Sequence, residues 1–482
     1  MEERNNEKMI MKSQHYSYKA KNILTPNGQE GTVSVRLITI EPTSKKMSDK
    51  EDSLASSPTQ EKLEEKAENM EMSKVLSDQD VLKHTASLWK YNPVPQHEPE
   101  PYREFITESV TVGSCHIIAA RVRGKKHKHE GTNCDDWFET RSIGDFIVIA
   151  VADGAGSKKF SRIGAKSACL GAMSFLEKAL QDLAVQEKEM QADLAQAVTK
   201  RAFQQMVSQL AGIVQNAVIE ARKNVVKAYQ QRRGDENYKK VVGRDLELND
   251  FASTFLLTIA LPLEKTGELL VVNCQVGDGM TAALNTKASY EQIVTLIGNA
   301  DSGTFSGETE FLTSNAICSK ESLMNRTKVA RKHFDVIMSM TDGVSDDYDP
   351  PGKEMLRLYT DLCINRVLDF PKLEKRCATL SSEARKKIRE KTPQAQSYPT
   401  VSGEVSPKMV SIQYTRDFCE LNKIDLREMW EKYQPYLGVM MQEMEQVQGK
   451  NAATRLKDWL DNYVIRGSFD DRTLVILQRG GN

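Results

Sequence analysis

The sequence predicts an α+β fold built on antiparallel sheets, and three observations point there. Short apolar, β-rich runs recur between Cys115 and Gln478. Two of them, Ser253 to Ala260 and Glu268 to Gln275, are joined by Glu264-Lys265-Thr266-Gly267, which is the spacing of a hairpin and not of a crossover. Two long blocks of helix-forming sequence interrupt the strands, from about Ile163 to Gln231 and between Asp347 and Leu456.

Taken in order, residues 1 to about 105 differ from the rest. Thr43 to Ser77 is rich in Lys, Glu and Ser, a composition that favours disorder. Thr32 to Ile40 alternates apolar and polar, as an isolated strand or a docking segment would. Asn92 to Pro101 carries repeated prolines and reads as a stiff, extended linker. The expected division is a polar, largely disordered tail over 1–105 and a folded domain over 110–480.

Strand signals begin at His116 to Val122 and continue at Phe146 to Val151, which is apolar on both parities and suits a strand buried on both faces. The first helical block contains no proline and repeats its apolar residues at three and four (Phe203, Met206, Leu210, Ile213, Val214, Val218), which predicts two antiparallel helices packed on a sheet. Further strands are predicted at Met280 to Asn285, Asp335 to Met340 and Thr473 to Gln478. A helical insertion is expected at about 348–456, broken near Lys391-Thr392-Pro393 and at Ser397 to Pro407.

Bulk properties narrow the function. The 482 residues are 28% charged with a formal net charge of -1, which disfavours charge-driven binding to nucleic acid or membrane surfaces. No apolar stretch approaches the ~20 residues of a membrane helix, and Met1 to Lys8 lacks the apolar core of a secretory signal. The 8 cysteines are scattered without a Cys-x-x-Cys pair, so the expected setting is a reducing cytoplasm. Cys115 alone is followed six residues later by an Arg, Arg121, and that run reads as a strand and not as a phosphatase loop.

The chemistry lies in acidic residues at strand ends. Asn133-Cys134-Asp135-Asp136-Trp137-Phe138, Asp153-Gly154-Ala155-Gly156, Gly277-Asp278-Gly279, Thr341-Asp342-Gly343 and Phe469-Asp470-Asp471-Arg472-Thr473 each border an apolar run. Carboxylates at the ends of separate strands can converge, and hard divalent cations need such oxygen ligands. Any one Asp-Gly pair alone is more simply a turn; the ordered set is the signal.

That ordered set, with Ala252-Ser253-Thr254 and Glu308 to Thr313 between its members, resembles the PPM-type, or type 2C, metal-dependent Ser/Thr protein phosphatases, in their bacterial-type branch. The resemblance spans roughly residues 110 to 478. It implies a sandwich of two antiparallel β-sheets flanked by long helices, with two divalent cations, Mn²⁺ or Mg²⁺, at one end. Asp153 would bridge the cations, the Gly154 carbonyl would bind the second, and Asp342 and Asp470 would hold the first. Asp135 and Asp136 align with the family's first motif and would act through metal-bound waters, with Asp136 preferred. A basic residue upstream would bind the substrate phosphate, and Lys128 is the candidate within Lys125 to His129. The His127-x-His129 pair is read as part of a solvated basic loop, since no further His or Cys lies nearby. Asp278 is a hydrogen-bonding residue or a plain turn. A water bridging the cations would attack phosphorus in line, with no phosphoenzyme. The implied partners are a phosphoprotein substrate and a cognate Ser/Thr kinase system. The competing reading is a catalytically weak phosphatase-like binding module.

Overall fold

The computed structural model describes residues 10–24, 30–41, 90–191, 197–286, 288, 292–298, 309–349, 351–364, 367–368, 451–462 and 469–480. The chain divides into two units, Met1–Val75 and Leu76–Asn482. In the first, β1 (Ile10–Leu24) pairs antiparallel with β2 (Glu30–Glu41). The alternation at Thr32 to Ile40 is therefore a strand with a partner, and the expected tail contains a hairpin. The Lys/Glu/Ser-rich stretch from Thr43 to Ser77 lies outside the described residues.

The second unit is a four-layer sandwich. One sheet has six strands in the order β10-β9-β12-β13-β4-β3, and the other has five in the order β11-β8-β7-β6-β5. The strands are β3 (Phe105–Val112), β4 (Cys115–Val122), β5 (Trp137–Ile143), β6 (Phe146–Ala152), β7 (Phe255–Leu263), β8 (Glu268–Val276), β9 (Met280–Leu284), β10 (Val294–Leu296), β11 (Thr327–Lys332), β12 (Val336–Met340) and β13 (Arg472–Arg479). All these ladders are antiparallel. The expected fold class is found, and its cause is visible in β6. Every residue of Phe146-Ile147-Val148-Ile149-Ala150-Val151-Ala152 is buried. Its odd side chains face the other sheet and its even ones face helices.

The helices named here are α1 (Lys125–Glu130), α2 (Ser161–Gln191), α3 (Ala197–Arg232), α4 (Glu236–Val242), α5 (Lys320–Arg326), α6 (Asp342–Ser345), α7 (Lys353–Ile364) and α8 (Ala452–Asn462). Helices α2 and α3 cover the five-stranded sheet through Leu176, Leu180, Leu210 and Val218. Helices α7 and α8 cover the six-stranded sheet through Leu358, Tyr359, Leu456 and the fully buried Trp459. Both outer faces are thereby removed from water.

Three expectations change. Helix α7 and the first turn of α8 fall inside the expected 348–456 insertion, yet both helices pack in the core; Ser397 to Pro407 is outside the described residues. Strand β3 carried no sequence signal, because an edge strand needs only one buried face and its residues are mostly half-buried or exposed. The proline-rich stretch is not a free linker. Its Glu100 carboxylate accepts from Arg232 Nε at 2.6 Å and Tyr238 Oη at 2.5 Å, and Tyr102 is buried. Among the described residues no helix is long and apolar enough to cross a membrane.

Candidate active site

The site forms where β6 and β12 end and β9 and β13 begin, since antiparallel order brings the motif-bearing turns to one edge. Strand β12 lies between β9 and β13, so Thr341 and Thr473 meet: the Thr341 amide donates to the Thr473 carbonyl at 3.2 Å. The turn after β6 is tied to the loop before β7. Thr254 N donates to Asp153 O at 2.8 Å, and Thr254 Oγ1 accepts from Asp153 N at 2.9 Å. The Ala252-Ser253-Thr254 motif thus fixes the backbone of Asp153.

Asp153, Asp278 and Asp342 converge, each with a carboxylate oxygen within 4.8 Å of the others. Asp278 therefore belongs to the cluster, where the sequence left it between a hydrogen-bonding residue and a turn. It is held from the side by Thr309, whose hydroxyl donates to its Oδ2 at 2.5 Å. Burial pushes the Asp153 carboxyl well up, with the charges of Asp342 and Asp136 adding to it. Burial, then Asp278 and Asp136, raises Asp342 to about 8. Asp346, missed by the sequence reading, is raised to about 6 by burial and by Asp278.

Asp136 is fully buried. Its Oδ2 accepts from Thr473 Oγ1 at 2.6 Å and Thr341 Oγ1 at 2.9 Å. Its Oδ1 is buried with no hydrogen-bond partner. Burial and the charge of Asp471 push it to about 7, and the carboxyl of Asp153 and the Thr473 and Thr341 hydroxyls act the other way. Behind it, Arg121 Nη1 donates to the Asp136 carbonyl at 2.9 Å and stacks over Trp137, which is the role of the aromatic residue in that motif.

The Asp470 side chain is partly open to solvent, 42% exposed. Its charge acts on Asp153, Asp342 and Asp346. Its neighbour Asp471 has no role in the motif reading, yet it is the more tightly bound of the pair. Asp471 Oδ1 accepts from Gly124 N at 2.6 Å and Oδ2 from Asp135 N at 2.5 Å, while His127 Nδ1 lies 2.9 Å from Oδ2. Despite burial, those contacts, led by His127, hold its carboxyl below the usual range. One buried carboxylate thereby ties the loop before Asp135 to the last motif. Asp135 itself is raised to about 8, chiefly by burial, with His127 opposing.

The basic segment is not a solvated loop. It is helix α1, capped by Gly131 at φ +73°, with Lys125, His127 and Lys128 buried. Lys128 does not join the carboxylates: its Nζ lies 2.5 Å from Asp461 on α8. The basic side chain that faces the site is His127, with Nε2 at 3.8 Å from Asp470 Oδ1 and 4.0 Å from Asp135 Oδ2. Burial alone would lower its pKa, but Asp471, Asp135 and Asp470 together raise it to about 10.

The glycines of the Asp-Gly pairs serve packing. A Cβ on Gly343 would fall 1.8 Å from the Asp471 carbonyl oxygen, and one on Gly154 would fall 2.7 Å from that of Asp135. The backbone bridge beside Gly154 uses the Asp153 carbonyl and the Ala155 amide, and leaves the Gly154 carbonyl out.

The donor set fits divalent cations. It is carboxylate-rich, it contains a buried unpartnered oxygen on Asp136, and its members can ionise together only with positive charge among them.

The family model described as Protein phosphatase 2C matches residues 123–385, more than half of the chain. Comparison with curated proteins finds no match. Among solved structures, a bacterial serine phosphatase is 11% identical, with 79% of this chain and 99% of that chain covered, at a TM-score of 0.29. RsbX in complex with magnesium is 9% identical, with 77% and 99% covered, at a TM-score of 0.27. A phosphatase from Toxoplasma gondii is 10% identical, with 78% and 95% covered, at 0.30. The family match, together with the converging carboxylates, carries the assignment: this chain belongs to the protein phosphatase 2C family.

Proposed function

We propose that this protein hydrolyses phosphoserine and phosphothreonine in proteins, using two divalent cations, Mn²⁺ or Mg²⁺. The observation that carries the reading is the convergence of Asp153, Asp278 and Asp342 beside the threonine-anchored Asp136. Asp153, the Gly154 carbonyl, Asp342 and Asp470 are the residues that would hold the cations. When bound, the cations would bring the pKa of a water towards about 7 and offset charge on the phosphoryl oxygens.

The chain's own groups have separable tasks. Asp136 is fixed through one oxygen, which leaves the other to orient solvent. Asp471 holds Asp135 and His127 in register with Asp470. The alkoxide of Ser or Thr leaves without a covalent phosphoenzyme, consistent with the absence of a cysteine phosphatase loop in the sequence. The substrate is a phosphoprotein, and a Ser/Thr kinase that modifies it is the expected counterpart.

The test is turnover of a phosphothreonine peptide before and after EDTA. The reading predicts loss on chelation and recovery on adding Mn²⁺ or Mg²⁺. Turnover that survives complete metal removal contradicts it.

A further inference from the structure

Helix α1 delivers one imidazole to the edge of the carboxylate cluster. His127 is 2% exposed. Its Nδ1 lies 2.9 Å from Asp471 Oδ2 without hydrogen-bond alignment, and that carboxylate is itself fixed by two backbone amides, of Gly124 and Asp135. Its Nε2 forms no hydrogen bond to any described residue. The nearest acceptors, Asp470 Oδ1 at 3.8 Å and Asp135 Oδ2 at 4.0 Å, lie beyond hydrogen-bond range.

We propose that His127 Nε2, releasing its proton to solvent on binding, is a metal ligand, sharing a cation with Asp470 and Asp135, and that this site takes a transition-metal ion such as Mn²⁺, Fe²⁺, Co²⁺ or Zn²⁺ in preference to Mg²⁺. The proposal rests on the phosphatase reading only through Asp470, which both invoke.

Three physical points carry it. Two ligand atoms each about 2.1 Å from one cation stand about 3 to 4 Å apart, depending on the angle between them, and the two separations from His127 Nε2, 3.8 Å to Asp470 and 4.0 Å to Asp135, fall there. A histidine that binds metal through one nitrogen commonly presents the other to a carboxylate, which sets its tautomer and orientation. Asp471 stands at that place, and its two amide bonds keep it from turning away. Mg²⁺ and Ca²⁺ favour all-oxygen sites, whereas imidazole suits transition metals. The competing cations are committed elsewhere: Lys128 to Asp461, and Arg162 to the carbonyls of Lys159 and Pro99 at 2.6 and 2.8 Å.

The test is electron spin-echo spectroscopy on the full-length, Mn²⁺-loaded protein without a polyhistidine tag, prepared with natural and with ¹⁵N-labelled histidine. The expected result is a histidine nitrogen coupling that changes isotope with the label and vanishes in His127→Gln. The same variant should lose Mn²⁺ affinity by about tenfold or more while Mg²⁺ affinity changes less. Bound Mn²⁺ without histidine coupling in the unmutated protein overturns the proposal, as does a coupling that persists in His127→Gln. Should the variant fail to fold, His127→Asn takes its place, and absence of the coupling in the labelled unmutated protein overturns the proposal by itself. Mn²⁺-dependent turnover without the coupling removes this inference and keeps the phosphatase; the coupling without turnover does the reverse.

Discussion

The Thr473 hydroxyl donates to Asp136 Oδ2 at 2.6 Å, joining the last strand of the chain to its first acidic motif. Thr341 donates to the same oxygen at 2.9 Å. Both donors favour the ionised carboxylate, which burial otherwise disfavours. Thr473→Val removes one of them. The expected cost is about 1 to 3 kcal/mol, larger at pH 8 than at pH 6, because Asp136 titrates near 7. Urea denaturation of the EDTA-treated protein at both pH values measures this, and Thr473→Ser should recover most of the loss.

The raised carboxyls make a pH prediction for the metal-free protein. Asp135, Asp136 and Asp342 titrate at about 8, 7 and 8 in the fold, against an ordinary 3.8. The folded state therefore holds protons that the unfolded chain releases. Their stabilising effect is full below about pH 4 and fades as pH rises through the folded values. His127, raised to about 10, has the same sign above its ordinary 6.5. Lys125, lowered to about 7, opposes it above that point. The clean window is thus about pH 4 to 7, across which Tm should fall with EDTA present. The rise in Tm on adding Mn²⁺ should grow over the same window. A metal effect independent of pH would contradict this.

Lys128 and Asp461 form a buried latch between α1 and α8. Lys128→Met leaves the Asp461 carboxylate with the more distant Lys457 Nζ at 3.8 Å, at a cost of about 1 to 3 kcal/mol. Adding Asp461→Leu should recover much of that loss, because the poorly compensated charge goes with it. Inhibition by inorganic phosphate should stay the same in the double variant. A large weakening of phosphate inhibition would return Lys128 to the substrate-binding role expected from sequence.

Gly343 has no room for a side chain, whereas a methyl group on Gly156 would meet nothing within 4 Å. Gly343→Ala must push the turn after β12 away from Asp471, which displaces Asp342 from Asp470. A shift of ~1 Å is worth about 100-fold in rate. Gly156→Ala is the control and should retain activity and Tm.

The acidic motifs were legible because each sits beside a strong strand signal, and their order along the chain carried the family resemblance. The buried strands β6, β7 and β8 were legible for the same reason: both faces are apolar. What the sequence hid depends on distant partners. His127 and Lys128 are neighbours in one charged run, and only the folded chain separates them, one to Asp471 and the other to Asp461. Asp471 reads as the second half of an acidic pair until Gly124 and Asp135 meet it. The edge strands β3 and β11 lack a second apolar face. The core roles of α7 and α8 were masked by the polar sequence between them.

The most direct test of the central claim is metal stoichiometry and phosphothreonine-peptide turnover, measured on the same samples of the unmutated protein and Asp153→Asn. The account predicts two bound Mn²⁺ ions and metal-dependent turnover in the former. In the folded variant it predicts fewer bound ions and a loss on the order of 1000-fold. Unchanged turnover in Asp153→Asn, or no turnover from folded and metal-loaded unmutated protein, would contradict it.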